Sequence, residues 1–156
     1  MTDPLAPPTL EHFADLAVDV GAPEVLGGGP GGLRRVVPIH GGTATGHGWR
    51  ARVMPGGSDF QLIVSDTLSI LDARYGLETD AGDRIYVQNH AVRAAPAEVM
   101  AALLRGEPVD PAQVYFRCTP HFETTAPTLR WINERLFVGV GVRRPNQVVM
   151  RFFALN

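Results

Sequence analysis

Asp72-Ala73-Arg74-Tyr75-Gly76-Leu77-Glu78 decides the fold. Drawn as a β-strand, the stretch puts Leu71, Ala73, Tyr75 and Leu77 on one face and Asp72, Arg74 and Glu78 on the other, because successive side chains leave opposite sides of the pleat. If the charged face points into a closed sheet, it builds a polar pocket. Each ion there costs several kcal/mol unless well paired. If it points to solvent, the same residues form cross-strand ion pairs worth a few tenths of a kcal/mol each. Both orientations stay open at this point.

Alternation recurs along the chain. Strands are expected over 11–20, 33–39, 49–54, 60–64, 69–78, 84–89, 114–119, 136–143 and 147–155. Turn-forming residues separate several of them: Gly41-Gly42, Pro55-Gly56-Gly57, Asp80-Ala81-Gly82-Asp83 and Arg144-Pro145-Asn146. Many short strands on short turns describe an antiparallel meander, and closure into a barrel hides its edges most economically. One short helix interrupts the pattern, with Pro96 in its first turn, an apolar stripe of Val99, Met100, Leu103 and Leu104, and Gly106 as its stop. Its expected place is over one end of the barrel. The stretch from Pro127 to Asn133 reads as a turn of helix leading into the strand that follows.

The 156 residues suit a single mainly β domain, with residues 1–9 as a flexible N-terminal tail. A net charge of -2 gives no electrostatic reason to expect nucleic acid or an anionic membrane as partner. The opening residues carry Asp3 and three prolines with neither a basic start nor an apolar run, so the expected location is the cytoplasm. A small-molecule ligand is the expected partner, and self-association into a homo-oligomer is left open. All fourteen cationic residues are Arg. Without Lys there is no primary amine for a Schiff base or for anchoring pyridoxal phosphate.

Familiar motifs fail on context. Gly27, Gly29 and Gly32 have the spacing of a dinucleotide fingerprint, yet a strand follows where a helix is required, so the stretch reads as a flexible loop. The histidines at 12, 40, 47, 90 and 121 are scattered, and no metal is expected. Gly56-Gly57-Ser58-Asp59 lacks the nucleophile elbow of a hydrolase. Cys118 alternates with Val114 and Phe116, as a small buried hydrophobe does.

Carboxylates, Arg, Tyr and Trp remain. A lumen holding Asp59, Arg74, Glu78, Tyr115 and Arg117 would contain a carboxylate base, a phenol donor and a guanidinium to steady an enolate. The blocks Pro55-Gly56-Gly57-Ser58-Asp59, Leu71 to Thr79, Tyr115-Phe116-Arg117-Cys118-Thr119-Pro120, Phe122-Glu123-Thr124 and Trp131-Ile132-Asn133 before Leu136-Phe137-Val138-Gly139 together resemble the family called domain of unknown function 3237. The resemblance implies a small β-barrel of calycin or allene oxide cyclase outline, with polar motif residues around its cavity. Asp59, Glu78 and Tyr115 are then the candidate catalytic residues, and Arg74, Arg117, Trp131, Glu123 and Arg135 the candidate substrate contacts. The expected activity is cofactor-independent acid/base catalysis by an isomerase, cyclase or lyase on an aromatic or polyketide-like carbonyl compound. The alternative is a non-catalytic carrier or sensor of a small apolar ligand.

Overall fold

The computed structural model describes residues 1–156 and consists of ten strands and one helix. The strands are β1 (Leu10–Val20), β2 (Glu24–Gly29), β3 (Gly32–Gly46), β4 (Arg50–Val53), β5 (Ser58–Ile63), β6 (Leu68–Thr79), β7 (Arg84–Ala94), β8 (Tyr115–Thr124), β9 (Phe137–Arg144) and β10 (Gln147–Leu155). The helix α1 spans Ala97–Leu104. Every strand pairing is antiparallel, and the order runs β1-β10-β9-β8-β7-β6 before returning through β4 and β5 to β3. Pairing of β1 with β3, from Ala14 opposite Gly46 to Val20 opposite Ile39, closes the ring. β4 and β5 share one side of β3, as β1 and β2 share the other, so ten strands occupy eight positions of a closed barrel.

Two glycine-rich segments differ from the sequence reading. Gly41-Gly42, expected as a turn, lies inside the long strand β3 at the seam where the barrel closes. Gly42 has φ +133°, and a Cβ there would collide with the carbonyl of Ala17 on β1, so only glycine lets the two strands meet. The stretch expected as a flexible loop is ordered instead: β2 runs through Gly27, Gly28 and Gly29, turns at Pro30-Gly31, and pairs back onto β3. Glycine removes the side-chain cue on which periodicity depends, so strand and loop look alike there.

Inside, the barrel has two unlike ends. Phe13, Phe122, Phe137 and Phe152 are buried together, with ring centroids 4.9 Å apart for the Phe13–Phe137 and Phe122–Phe137 pairs. Trp49 and Trp131 lie against Phe13, and Ile132 of the 3-10 turn at Arg130–Glu134 is buried beneath them. α1 covers the opposite end. Met100, its most deeply buried residue, receives the hydroxyl of Ser69 on β6 at 3.8 Å, and Arg35 of β3 donates through Nη1 to the carbonyl of Leu104 at 3.3 Å. Gly106 at φ +79° ends the helix in the left-handed region, as expected of a stop residue. No helix is long and apolar enough to cross a membrane.

Candidate active site

The stretch 72–78 keeps its alternation, and its apolar face is the one that turns inward. Leu71, Tyr75 and Leu77 are buried, whereas Arg74 is exposed and reaches Asp72 at 3.5 Å along the outer wall. Glu78 also stands outside, receiving Arg52 at 3.0 Å and Arg84 at 3.2 Å. Those two guanidiniums, Arg52 first, hold its carboxyl below the usual carboxylate range. Tyr115 is 55% exposed, with the Arg117 guanidinium 5.1 Å from its ring on the same outer face. Glu123 and Arg135 are exposed as well, and Trp131 is 42% exposed at the rim of the aromatic end. The five residues expected to share a lumen therefore do not share one: of Asp59, Arg74, Glu78, Tyr115 and Arg117, Asp59 alone lines the interior cavity.

A different polar set meets Asp59 there. The cavity, about 50 Å³, is lined mostly by apolar residues of β1, β3, β6 and β10, and among them stand Asp59, Gln61, Tyr75, Asn89, Arg93 and Arg143. Period two explains how they arrive. On β5, Asp59 and Gln61 point inward past exposed Phe60; on β7, Asn89 and Arg93 occupy the same inward series as Ile85, Val87 and Ala91. Gln61 donates to Asp59 Oδ2 at 2.8 Å and accepts from Arg35 Nε at 2.7 Å, so a chain of hydrogen bonds links the carboxylate to a guanidinium beneath α1.

The remaining polar edges are free. Asp59 Oδ1, Asn89 Oδ1, Arg93 Nε and Nη2, and Arg143 Nη1 are enclosed and have no hydrogen-bond partner. These five atoms belong to four residues, and all four line this one cavity. Buried polar groups are nearly always satisfied, so five unpartnered atoms on four residues around one small space mark a place shaped for something polar. Arg93 is only 1% exposed, and its guanidinium rests 5.8 Å from the Phe116 ring.

Electrostatics follow the burial. Desolvation pushes the Asp59 carboxyl above its ordinary range, with the Gln61 hydrogen bond and the Arg93 charge pulling the other way. Desolvation lowers Arg93 to about 10 and also lowers Arg35 and Arg143, although all three remain cationic at neutral pH. Tyr75 is raised by burial, with Cys118 and Asp59 adding to the push, and stays a phenol. Burial pushes Cys118 up to about 12 despite a hydrogen bond from Asn89, so its thiol is no nucleophile.

A profile for proteins of unknown function, DUF3237, matches residues 8–155. The chain belongs to the DUF3237 family. A relative from Rhodopseudomonas palustris, UPF0311 protein RPA1785, is 45% identical over 119 residues, which is 76% of this chain and 78% of that protein. The crystal structure of RPA1785 superposes with a TM-score of 0.89 at 38% identity, covering 96% of this chain and 99% of the other. A protein with unknown function from Clostridium acetobutylicum gives 0.87 at 31% identity over 100% and 99% of the two chains. An enzyme from Penicillium herquei gives 0.72 at 16% identity over 100% of both, a likeness of fold alone. The DUF3237 barrel thus carries a cavity whose residues lie outside most of the motif blocks. Of its lining residues Asp59, Leu71, Ala73, Tyr75 and Phe116 fall inside those blocks, and of its polar ones only Asp59 and Tyr75 do.

Arg93, Asn89 and Arg143 went unread for a physical reason. In 84–94, inward positions 85, 87 and 91 are apolar while 89 and 93 are Asn and Arg, and polar residues breaking the buried phase of a strand are the signal that finds them. With the strand expected to stop at 89, Arg93 lay beyond it.

Proposed function

We propose that this protein is a cofactor-independent acid/base enzyme acting on a small carbonyl compound inside the barrel. The carrying observation is the Asp59 carboxylate, whose one oxygen is held by Gln61 and whose other is enclosed and free within an apolar wall. A carboxyl raised by desolvation is a better base toward a carbon acid than an exposed one, because the best catalytic pKa lies near the working pH. In the step envisaged, Asp59 takes a proton from the carbon beside the carbonyl, leaving an enolate and a neutral carboxylic acid. The enolate oxygen is stabilised by the Tyr75 hydroxyl, within the positive field of Arg93 and Arg143. Return of the proton to another atom completes an isomerisation, and loss of a leaving group makes the same step a lyase reaction.

The Penicillium herquei enzyme shows that a barrel of this outline serves catalysis in at least one protein. A cavity of about 50 Å³ takes a head group of a few heavy atoms. The rest of an aromatic or polyketide-like substrate requires the end covered by α1 to open. Eleven of the sixteen lining residues are hydrophobic, and this favours a second reading as a carrier of an apolar ligand.

Proton exchange separates the two. Incubated in D2O with a panel of enolisable aryl ketones, the protein should speed deuterium uptake at the α-carbon of some members, and Asp59→Asn should slow that uptake about 100-fold or more. Glu78→Gln, on the outer wall, should leave it unchanged. Binding of panel members without exchange would decide for the carrier.

A further inference from the structure

We propose that Arg93 and Arg143 form a carboxylate-binding subsite in the barrel interior, so that the natural ligand is an organic acid as well as a carbonyl compound. The inference rests on the reading of the lumen as a ligand site, not on Asp59 being catalytic.

Arginine presents a donor edge that fits a carboxylate. Nε and Nη2 lie along one edge of the guanidinium, and their two N–H groups run parallel at the spacing of the two oxygens of a carboxylate. This protein uses that edge elsewhere on carboxylates. Arg151 donates through Nε and Nη2 to Asp15 at 2.8 and 3.3 Å, and Arg105 donates through the same pair to Glu107 at 2.9 and 3.0 Å. Both of those pairs are on the surface, where water would serve nearly as well. In Arg93 the same two atoms are enclosed and unpartnered, and the residue is one of those that line the cavity. Arg143 Nη1, also unpartnered, adds a third donor from β9, which is separated from β7 by β8 alone.

Charge points the same way. Two cations, Arg93 and Arg143, and one carboxylate, Asp59, line the cavity and leave its wall with +1, while Arg35 adds a further positive charge behind Gln61. Asp59 does not cancel Arg93 by contact, since the two form no ion pair and each keeps a buried atom without a hydrogen-bond partner. An unpaired buried guanidinium costs several kcal/mol, and a carboxylate placed on its edge recovers much of that. A neutral ligand would leave the cost standing. The apolar wall of Val18, Val37, Ile39 and Met150 receives the organic part of the acid.

Acetate matches the cavity in size, and acetamide is its neutral counterpart of the same shape. In 15N-labelled protein, the Arg93 Nε–H resonance should move on titration with acetate and reach saturation, while acetamide at equal concentration binds at least tenfold more weakly. Followed instead by the backbone amides of Asn89 and Ala91, Arg93→Met should bind acetate at least tenfold more weakly, and Arg143→Met, which spares the Nε–H reporter, should weaken acetate at least tenfold. Equal affinity for the two probes would overturn the carboxylate assignment while leaving the lumen a ligand site. No response to acetate with the native fold intact would overturn it too, and ketone-driven deuterium exchange would then show whether the lumen reading survives. A response retained undiminished in Arg143→Met would remove Arg143 from the subsite.

Discussion

Asp59 is a residue whose two tasks conflict. As a buried acid it destabilises the barrel when ionised, and as the base proposed above it is useful only when ionised. Because desolvation raises its folded-state pKa above the unfolded value, the folded state holds the proton more tightly. Its contribution to stability is therefore fully present below about pH 4, where both states are protonated, and is lost as pH rises through the folded-state value. Asparagine mimics the neutral acid at every pH. Asp59→Asn should accordingly match the parent in Tm near pH 3.5 and exceed it by several degrees at pH 8, the gap opening as pH increases. Thermal unfolding followed by circular dichroism at a series of pH values checks this. A gap that is constant with pH, or of opposite sign, would mean that burial does not raise the Asp59 carboxyl.

At the scale of elements, α1 is the piece that separates a closed cavity from an open-ended barrel. Its packing rests on few side chains: Val99, Met100 and Leu103 are buried, and Met100 is wholly so. Met100→Ala should cost about 2–4 kcal/mol, measured by urea unfolding, because a fully buried Met leaves both lost transfer energy and a void. This helix was legible in the sequence, since the apolar stripe at 99, 100, 103 and 104 and the glycine stop at 106 are properties of the local chain. The strands were legible for the same reason, and so was closure, which follows from hiding edges. What period two does not encode is which face turns inward. In 71–77 the inward face is Leu71, Ala73, Tyr75 and Leu77, so the charges at 72, 74 and 78 that looked like a pocket are an outer row of ion pairs. The interior polar set comes from β5, β6, β7 and β9, each giving one or two residues that only the closed ring brings together. Asp59 was read because it sits beside a turn motif; Arg93 and Asn89 sit in no motif.

Across the whole molecule, stability and chemistry occupy opposite ends. The helix-capped end carries free polar edges and uncompensated charge, both of which oppose folding. The aromatic end must offset them, and Phe122 is at its centre: 2% exposed, it has ring centroids at 4.9 Å to Phe137, 5.3 Å to Phe13 and 5.8 Å to Phe152. Removing such a ring costs about 3–5 kcal/mol, a large share of the 5–15 kcal/mol that holds a domain together. Phe122→Ala should therefore shift the urea midpoint strongly downward. The effect should be global, because every strand of a closed sheet loses support when one end of the common interior collapses. Amide hydrogen exchange tests that point. Protection should fall together along β1, β8, β9 and β10, the strands that contribute Phe13, Phe122, Phe137 and Phe152, and also in β5 and β7 at the polar end. Loss confined to the first four strands would mean that the polar end is held up by its own contacts, and that the two ends are not one cooperative unit.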